Sequence, residues 1–329
     1  MKILVIRMSS IGDVLLTTPV LKAFKNKYPD SKIDFLVMDQ FKEAITGLKY
    51  IDKIILFDKK KNDGLKNIIA FADSLKKNGY DYVFDLHAKF RSKIITRRLG
   101  IKSYTYRKRA WWKSILVKAR MTKYRVDDTI VKNYFGAFRD FGIEYKGEDL
   151  EFYYGDNKPF MEYRDYPMMA PGASKETKKW TVEGFGKLAE LLYKKHGVKT
   201  VLLGGKGDFE KCQEIDRISG GHCINLAGKL SLKESGAVLS IGKFLVTNDS
   251  GPFHIARGVG CPTFVIFGPT SPGMFELGEN DTLVYAGVPC SPCSLHGDKE
   301  CPKGHFRCMK EITGEMLFDM IENKIKWEE

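Results

Sequence analysis

The chain has no apolar run near the roughly 20 residues that a membrane helix needs. Its first residues, MKILVIRMSS, meet a charge at Arg7 too early for a secretory signal. A helical membrane span and export are therefore not expected, and the reading is of a cytoplasmic protein. Cysteine is scarce, at seven residues in 329, so no disulfide framework is expected in that compartment. No G-x-x-x-x-G-K-[ST] loop occurs, and no G-x-G-x-x-G turn opens either half, which sets aside the P-loop and the usual dinucleotide fingerprint. The sharpest shortage is of acid. None stands between Asp85 and Asp127, an interval that holds 14 Lys and Arg. A segment such as YRKRAWWKSILVKARMTKYR, residues 106–125, faces polyanions.

What is present is an ordinary globular composition, 43% hydrophobic and 29% charged, with a net charge of +13 that is unevenly spread. Residues 1–160 hold 33 basic and 19 acidic residues, and the remainder 21 and 22. At this length two domains are expected, taken here as residues 1–160 and 161–329. The anionic partner belongs to the first.

Both halves alternate strand and helix. KILVIRM, KIDFLVM, IDKIILF and DYVFDLH are short branched runs suited to strands covered on both faces, and GDVLLTTPVLKAFKNKYP and LKNIIAFADSLKKNGY have helical spacing. After the turn-rich YYGDNKP the pattern resumes with YPMMAPGAS, TVEGFGKLAELLYKKHG, VKTVLLGG, SLKESGAVLSIG, KFLVTND, SGPFHIARGVG and CPTFVIFG. Repeated β-α units predict parallel sheets with right-handed crossovers. The fold class is α/β: two Rossmann-like, doubly wound domains facing a cleft. The last helical run, TGEMLFDMIENKIKWEE, suits either half.

Three strand ends in the second half carry anion-binding chemistry. In TNDSGPFHIARG, Asp249 or Ser250 is a helix N-cap, Pro252 fits the first turn, and Gly251 lets a ligand approach the backbone. A helix N-terminus beyond a parallel strand is a phosphate site, with His254 one turn in; it is equally a plain capped helix. APGASKETKKW gathers Gly172, Ser174, Lys178 and Lys179, and LLGGKGD offers Asp208 as an acceptor for ribose hydroxyls. Three such loops on one sheet edge favour a nucleotide diphosphate.

The stretches RMSSIGDVLLTTPVLKAFKNKYP, PGAS with KKW, and NDSGPFHIARGVGCPTFVIFGPTSP occur in the order and spacing of one family. The chain resembles the ADP-heptose:lipopolysaccharide heptosyltransferases, glycosyltransferase family 9, from its first strand to its tail. The resemblance implies a GT-B fold, an ADP-sugar donor held by the second domain, a lipopolysaccharide-core acceptor held by the first, and inversion at the anomeric carbon. It implies that Asp13 is the catalytic base, where the residues alone read more simply as a cap of the first helix. It assigns the donor to Ser174, Lys178, Asp249, Ser250, Gly251 and His254, with Asp208 added on its position. No cofactor is required, since a lysine and a helix dipole replace a divalent metal. The acceptor is phosphorylated, carboxylated and carried on a lipid, so Arg91, Arg97, Arg98, Arg107 and Arg109 are candidate acceptor contacts, and Trp111 and Trp112 suit the cytoplasmic surface of an inner membrane.

CSPCSLHGDKECPKGHFRCM places Cys290, Cys293, Cys301 and Cys308 within one loop region. Their spacing suits a closed, structural zinc site, with His296 and His305 as substitutes, or, less well, an iron–sulfur cluster, and suits a set of reduced thiols as well as it does zinc. Two other functions stand beside the main reading: a GT-B transferase with a different nucleotide sugar, and a basic nucleic-acid-binding protein. No nucleic-acid-binding motif is present, and the phosphate-type loops lie in the neutral half, so nucleic acid is not expected as a partner.

Overall fold

Strand β1, Lys2–Ile6, is buried at four of its five positions. A run with no exposed face cannot sit at an edge, and it lies in the middle of its sheet. The computed structural model describes residues 1–106, 128–155 and 160–327. These separate into two compact units, one of residues 1–106 and 128–153, the other of residues 154–155 and 160–327.

In the first unit β1 is followed by helices α1, Ile11–Leu15, and α2, Thr18–Lys27, then by β2, Lys32–Met38, and β3, Lys53–Phe57. Helix α3, Gly64–Lys76, leads to β4, Tyr82–Asp85, and helix α4, Phe90–Leu99, to β5, Ser103–Thr105. Helix α5, Ile130–Ala137, returns after the undescribed segment. The five strands are parallel in the order β3-β2-β1-β4-β5, with Val5 opposite both Phe35 and Phe84. The single helix expected over GDVLLTTPVLKAF is two. The Thr17 and Thr18 hydroxyls donate to Val14 O and Leu15 O, and Pro19 opens the second helix without an N–H. Both effects favour a break. Helix α2 packs Phe24 edge-on against Phe84, Phe138 and Phe141, closing one face of the sheet.

The second unit repeats the plan. Strand β6, Pro167–Ala170, helix α6, Val182–His196, strand β7, Thr200–Leu202, helix α7, Phe209–Ile218, and strand β8, Cys223–Asn225, form its first half. Helix α8, Leu232–Ile241, strand β9, Phe244–Asn248, helix α9, Gly251–Gly258, and strands β10, Thr263–Phe267, and β11, Asp281–Tyr285, form the second. The tail adds α10, Arg307–Lys310, and α11, Gly314–Lys324. All six strands are parallel, in the order β11-β10-β9-β6-β7-β8. Leu317 and Ile321 of α11 share a core with Leu188 and Leu192 of α6, so the last helix belongs to this unit. Two parallel, doubly wound α/β units meet the fold class expected of the sequence. In each sheet the chain reverses its direction of winding once, between β1 and β4 and between β6 and β9. Ligands of open α/β sheets bind beyond the carboxyl ends of strands at that reversal. Among the described residues no helix is long and apolar enough to cross a membrane.

Candidate active site

At the reversal point of the first sheet, Arg7 follows β1 and Leu86 follows β4. The Arg7 guanidinium joins them: Nη1 donates to Leu86 O at 2.7 Å, and Nη2 reaches Asp13 Oδ2, on α1, also at 2.7 Å. The Arg7 side chain is 6% exposed and that of Asp13 31%, so the acid is the member of the pair that faces solvent. Ser10 N–H and Ser10 Oγ both donate to the same oxygen, Oδ2, at 3.1 Å. Oδ1 makes no such contact among the described residues. The contacts expected of a cap thus fall on Oδ2 alone.

Burial works to raise the Asp13 carboxyl, but the Arg7 guanidinium and the Ser10 N–H outweigh it and hold the group below the usual carboxylate range. Burial alone would lower Arg7, yet facing Tyr134 and Asp13 it ends above its ordinary value. The Tyr134 ring lies 5.7 Å from the guanidinium. Asp85, at the end of β4, is buried and raised by desolvation, and its carboxylate accepts the N–H groups of His87 and Ala88 at 3.0 and 2.8 Å.

At the reversal point of the second sheet the buried side chain is Asn248. Its Nδ2 donates to Pro171 O at 2.9 Å and its Oδ1 accepts Trp180 N–H at 2.8 Å, which fixes the loop after β6 against the end of β9. That tie brings Lys178 to Asp249: Nζ and Oδ2 are 2.7 Å apart, with side chains 12% and 6% exposed. Thr270 Oγ1, from the loop after β10, donates to the same Oδ2 at 2.9 Å. Here both side chains are largely buried, the carboxylate more so than the lysine.

Ser250 is the N-cap of α9, but its side chain makes no capping hydrogen bond. The caps of α6 and α8 do make theirs, Thr181 accepting from Gly184 N–H and Ser231 from Glu234 N–H. Ser250 Oγ instead lies 3.4 Å from Thr247 Oγ1. The first turn of α9 therefore keeps donors for an anion beside Lys178. Asp208 joins the same edge: its Oδ2 accepts Gly205 N–H at 2.9 Å. Gly172 lets it in, since a Cβ there would stand 2.7 Å from Asp208 Oδ2. Ser174 is exposed on the loop that holds Lys178. His254 is buried with its ring 5.0 Å from both Phe253 and Phe275.

The arginines expected to meet an acceptor divide. Arg91 stands in the first turn of α4, at the carboxyl edge of the sheet, and its Nη2 is 3.8 Å from Asp63. Arg97 and Arg98 stand in the last turn, some 10 Å back along the helix, and Arg98 holds Asp73 by two hydrogen bonds of 2.8 Å. Arg107, Arg109, Trp111 and Trp112 lie outside the described residues.

The four tail cysteines are free, and among the described residues no group of three or more His, Cys, Asp or Glu is gathered as a metal site. Cys290 Sγ lies 3.7 Å from His305 Nε2, and burial pushes the Cys308 thiol up to about 12. What the tail does show is support. Asp298 N–H donates to Thr177 Oγ1 at 2.8 Å, and Gly297, at φ +78°, lies so close that a Cβ would stand 2.7 Å from Lys178 Cγ. Sequence reasoning missed Arg7, Asn248 and Thr270. Each is a polar residue at a strand end or just past one, which was the available signal.

Residues 68–303 match the model of glycosyltransferase family 9 (heptosyltransferase). Over 346 residues, covering 99% of both chains, the sequence is 26% identical to lipooligosaccharide heptosyltransferase 2 of Campylobacter jejuni. The fold is that of the E. coli ADP-heptose lps heptosyltransferase II, with a TM-score of 0.76, 20% identity and 98% of each chain covered. It is also that of E. coli heptosyltransferase WaaC with ADP-2-deoxy-2-fluoro heptose, at a TM-score of 0.73 and 20% identity, covering 98% of this chain and 99% of that one.

Proposed function

The chain belongs to glycosyltransferase family 9, the heptosyltransferases, and on that premise we propose that it transfers heptose from ADP-heptose to the inner core of lipopolysaccharide with inversion. The observation that carries the reading is the edge of the second sheet, where an α-helix begins without a side-chain cap beside an ammonium held 2.7 Å from Asp249. Such an edge is built for a diphosphate. WaaC, with a similar fold, was solved with an ADP-heptose analogue.

In the reaction the acceptor hydroxyl gives its proton to Asp13 Oδ1 while its oxygen bonds to the anomeric carbon of heptose. The bond from that carbon to the diphosphate breaks, and its electron pair leaves with ADP. Lys178 and the N–H groups around Ser250 and Gly251 receive the charge that develops there. Donors fixed in advance around a growing negative charge are the strongest means such a site has of speeding the transfer. Asp208 and Ser174 hold the ribose side of the donor, and His254 stiffens the first turn of α9 from its aromatic packing. Fixed charge takes the part that a divalent metal plays elsewhere. The cysteine-bearing tail keeps Lys178 in place, and its thiols take no part in the chemistry.

The acceptor, an anionic sugar on a lipid, is met by the first unit at a membrane surface on the cytoplasmic side. Phe90 and Leu65 are 72% and 55% exposed on the first turns of α4 and α3, with Lys60, Lys61, Lys66, Lys89 and Lys93 exposed near them in sequence. Exposed apolar side chains among cations suit an anionic lipid interface. Arg91, on the same edge, is the acceptor contact of choice.

Calorimetry of the protein with ADP, GDP and UDP tests the reading. ADP is expected to bind selectively and to lose affinity in Lys178→Ala. Equal binding of all three, or none, contradicts an ADP-sugar donor.

A further inference from the structure

We infer that Arg7 is a positioning residue for the transfer: it clamps one oxygen of Asp13 so that the other faces the acceptor hydroxyl. The inference rests on the reading of Asp13 as base. Its ground is geometric. A side chain that is 6% exposed carries a full charge across the reversal point of the sheet, where an apolar residue would close the same gap without the cost of desolvation. One prong of the guanidinium ends on a main-chain carbonyl, Leu86 O, which cannot rotate; the other therefore has a fixed place, and Asp13 Oδ2 occupies it. A planar fork can meet two acceptors at once, and an ammonium meets them only as a point charge.

The titratable groups around the pair come from four elements. Asp85 at the end of β4 is committed to backbone N–H groups. Tyr106 after β5 and Tyr134 on α5 stack edge-on at 5.3 Å, and burial raises both hydroxyls, so they stay neutral. Ser10, before α1, donates. Among the described residues Arg7 is the permanent cation of the set. It keeps Asp13 deprotonated and oriented at the cost of some basicity, which suits a hydroxyl that becomes acidic only as its oxygen bonds to carbon.

The test compares Arg7→Gln and Arg7→Lys with the unaltered protein in kcat/KM against pH, kcat at neutral pH, and ADP affinity. With the cation gone, burial is left to push the Asp13 carboxyl up, so the acidic limb of Arg7→Gln should move to higher pH by about one unit or more. Its kcat should fall by roughly 10- to 100-fold, within the range of general-base effects, while ADP affinity holds. Arg7→Lys should return the limb to its place and restore part of kcat. A limb that does not move in Arg7→Gln overturns the inference, as does an equal loss of kcat in both variants with unmoved limbs, which is a packing role only. Should Arg7→Gln not fold, carbon-detected titration of the Asp13 carboxyl in the unaltered protein and in Arg7→Lys decides. Values below the ordinary carboxylate range support the clamp, and an ordinary or raised value in the unaltered protein overturns it. Transfer that survives Asp13→Asn removes the base reading itself; an inactive Asp13→Asn beside an unmoved Arg7→Gln limb removes only the role of Arg7.

Discussion

Each unit carries a cation–carboxylate pair at its reversal point, and the two pairs differ in which member is the more buried. At the first reversal point the cation is inside and the acid outside, with side-chain exposures of 6% for Arg7 and 31% for Asp13. At the second both are largely buried and the acid is the more buried, 6% for Asp249 against 12% for Lys178. Both pairs span 2.7 Å. What differs is which member is the more buried. Arg7 is anchored to Leu86 O, and Asp249 is anchored by Thr270 Oγ1. On the proposed reading, one edge offers a carboxylate to take a proton and the other an ammonium to receive the leaving diphosphate.

The strongest way to break the comparison is to remove the cation of the second pair. Lys178→Met should weaken ADP binding by about 10- to 100-fold, the worth of a charge-assisted hydrogen bond of about 1.5 to 3 kcal/mol. It should also destabilise the second unit, because Asp249 is left buried and unpaired, by about 3 to 5 kcal/mol. Adding Asn at 249 should recover stability in urea without recovering ADP affinity. If affinity returns as well, the lysine was only balancing the aspartate.

A smaller effect is expected where the tail supports Lys178. Gly297 combines a positive φ with a neighbour that a Cβ would strike, so Gly297→Ala should strain the loop by about 1 to 3 kcal/mol and shift ADP affinity by less than Lys178→Met does. Unchanged affinity together with lost stability would confine the tail to folding.

Smallest in the assay of chemistry, and sharpest for location, is the Phe90 and Leu65 pair. Phe90→Ser with Leu65→Ser should reduce sedimentation with vesicles of anionic lipid while leaving ADP affinity and folding unchanged, since both side chains are exposed. Equal sedimentation before and after would take the membrane away from this edge.

Much of this was open to reading in the chain itself, for reasons that can be named. Buried parallel strands such as KILVI and FLVTN are continuous apolar runs, and the turn after each must bring back polar residues, so the strand ends mark themselves. Partners were harder. Nothing in the residues near Arg7 says that its guanidinium turns inward to Leu86, 79 positions away, or that Asp73 has taken Arg98. Strands β5, β7 and β8 have three residues each, and only β7, beside its glycines, gave a pattern to see. The missing cap of α9 is likewise a matter of rotamer, since Ser250 is as good a capping residue as Ser231. The zinc reading of the cysteines came from spacing alone, and the described residues show the loop between them packed against Lys178.

The division of labour between the two pairs is tested most directly by Asp13→Asn, with heptose transfer and ADP affinity measured on the same preparation. The account predicts transfer lowered by roughly 100- to 10,000-fold with ADP bound as tightly as before. Transfer near the original rate, or ADP affinity that falls with it, would contradict the account.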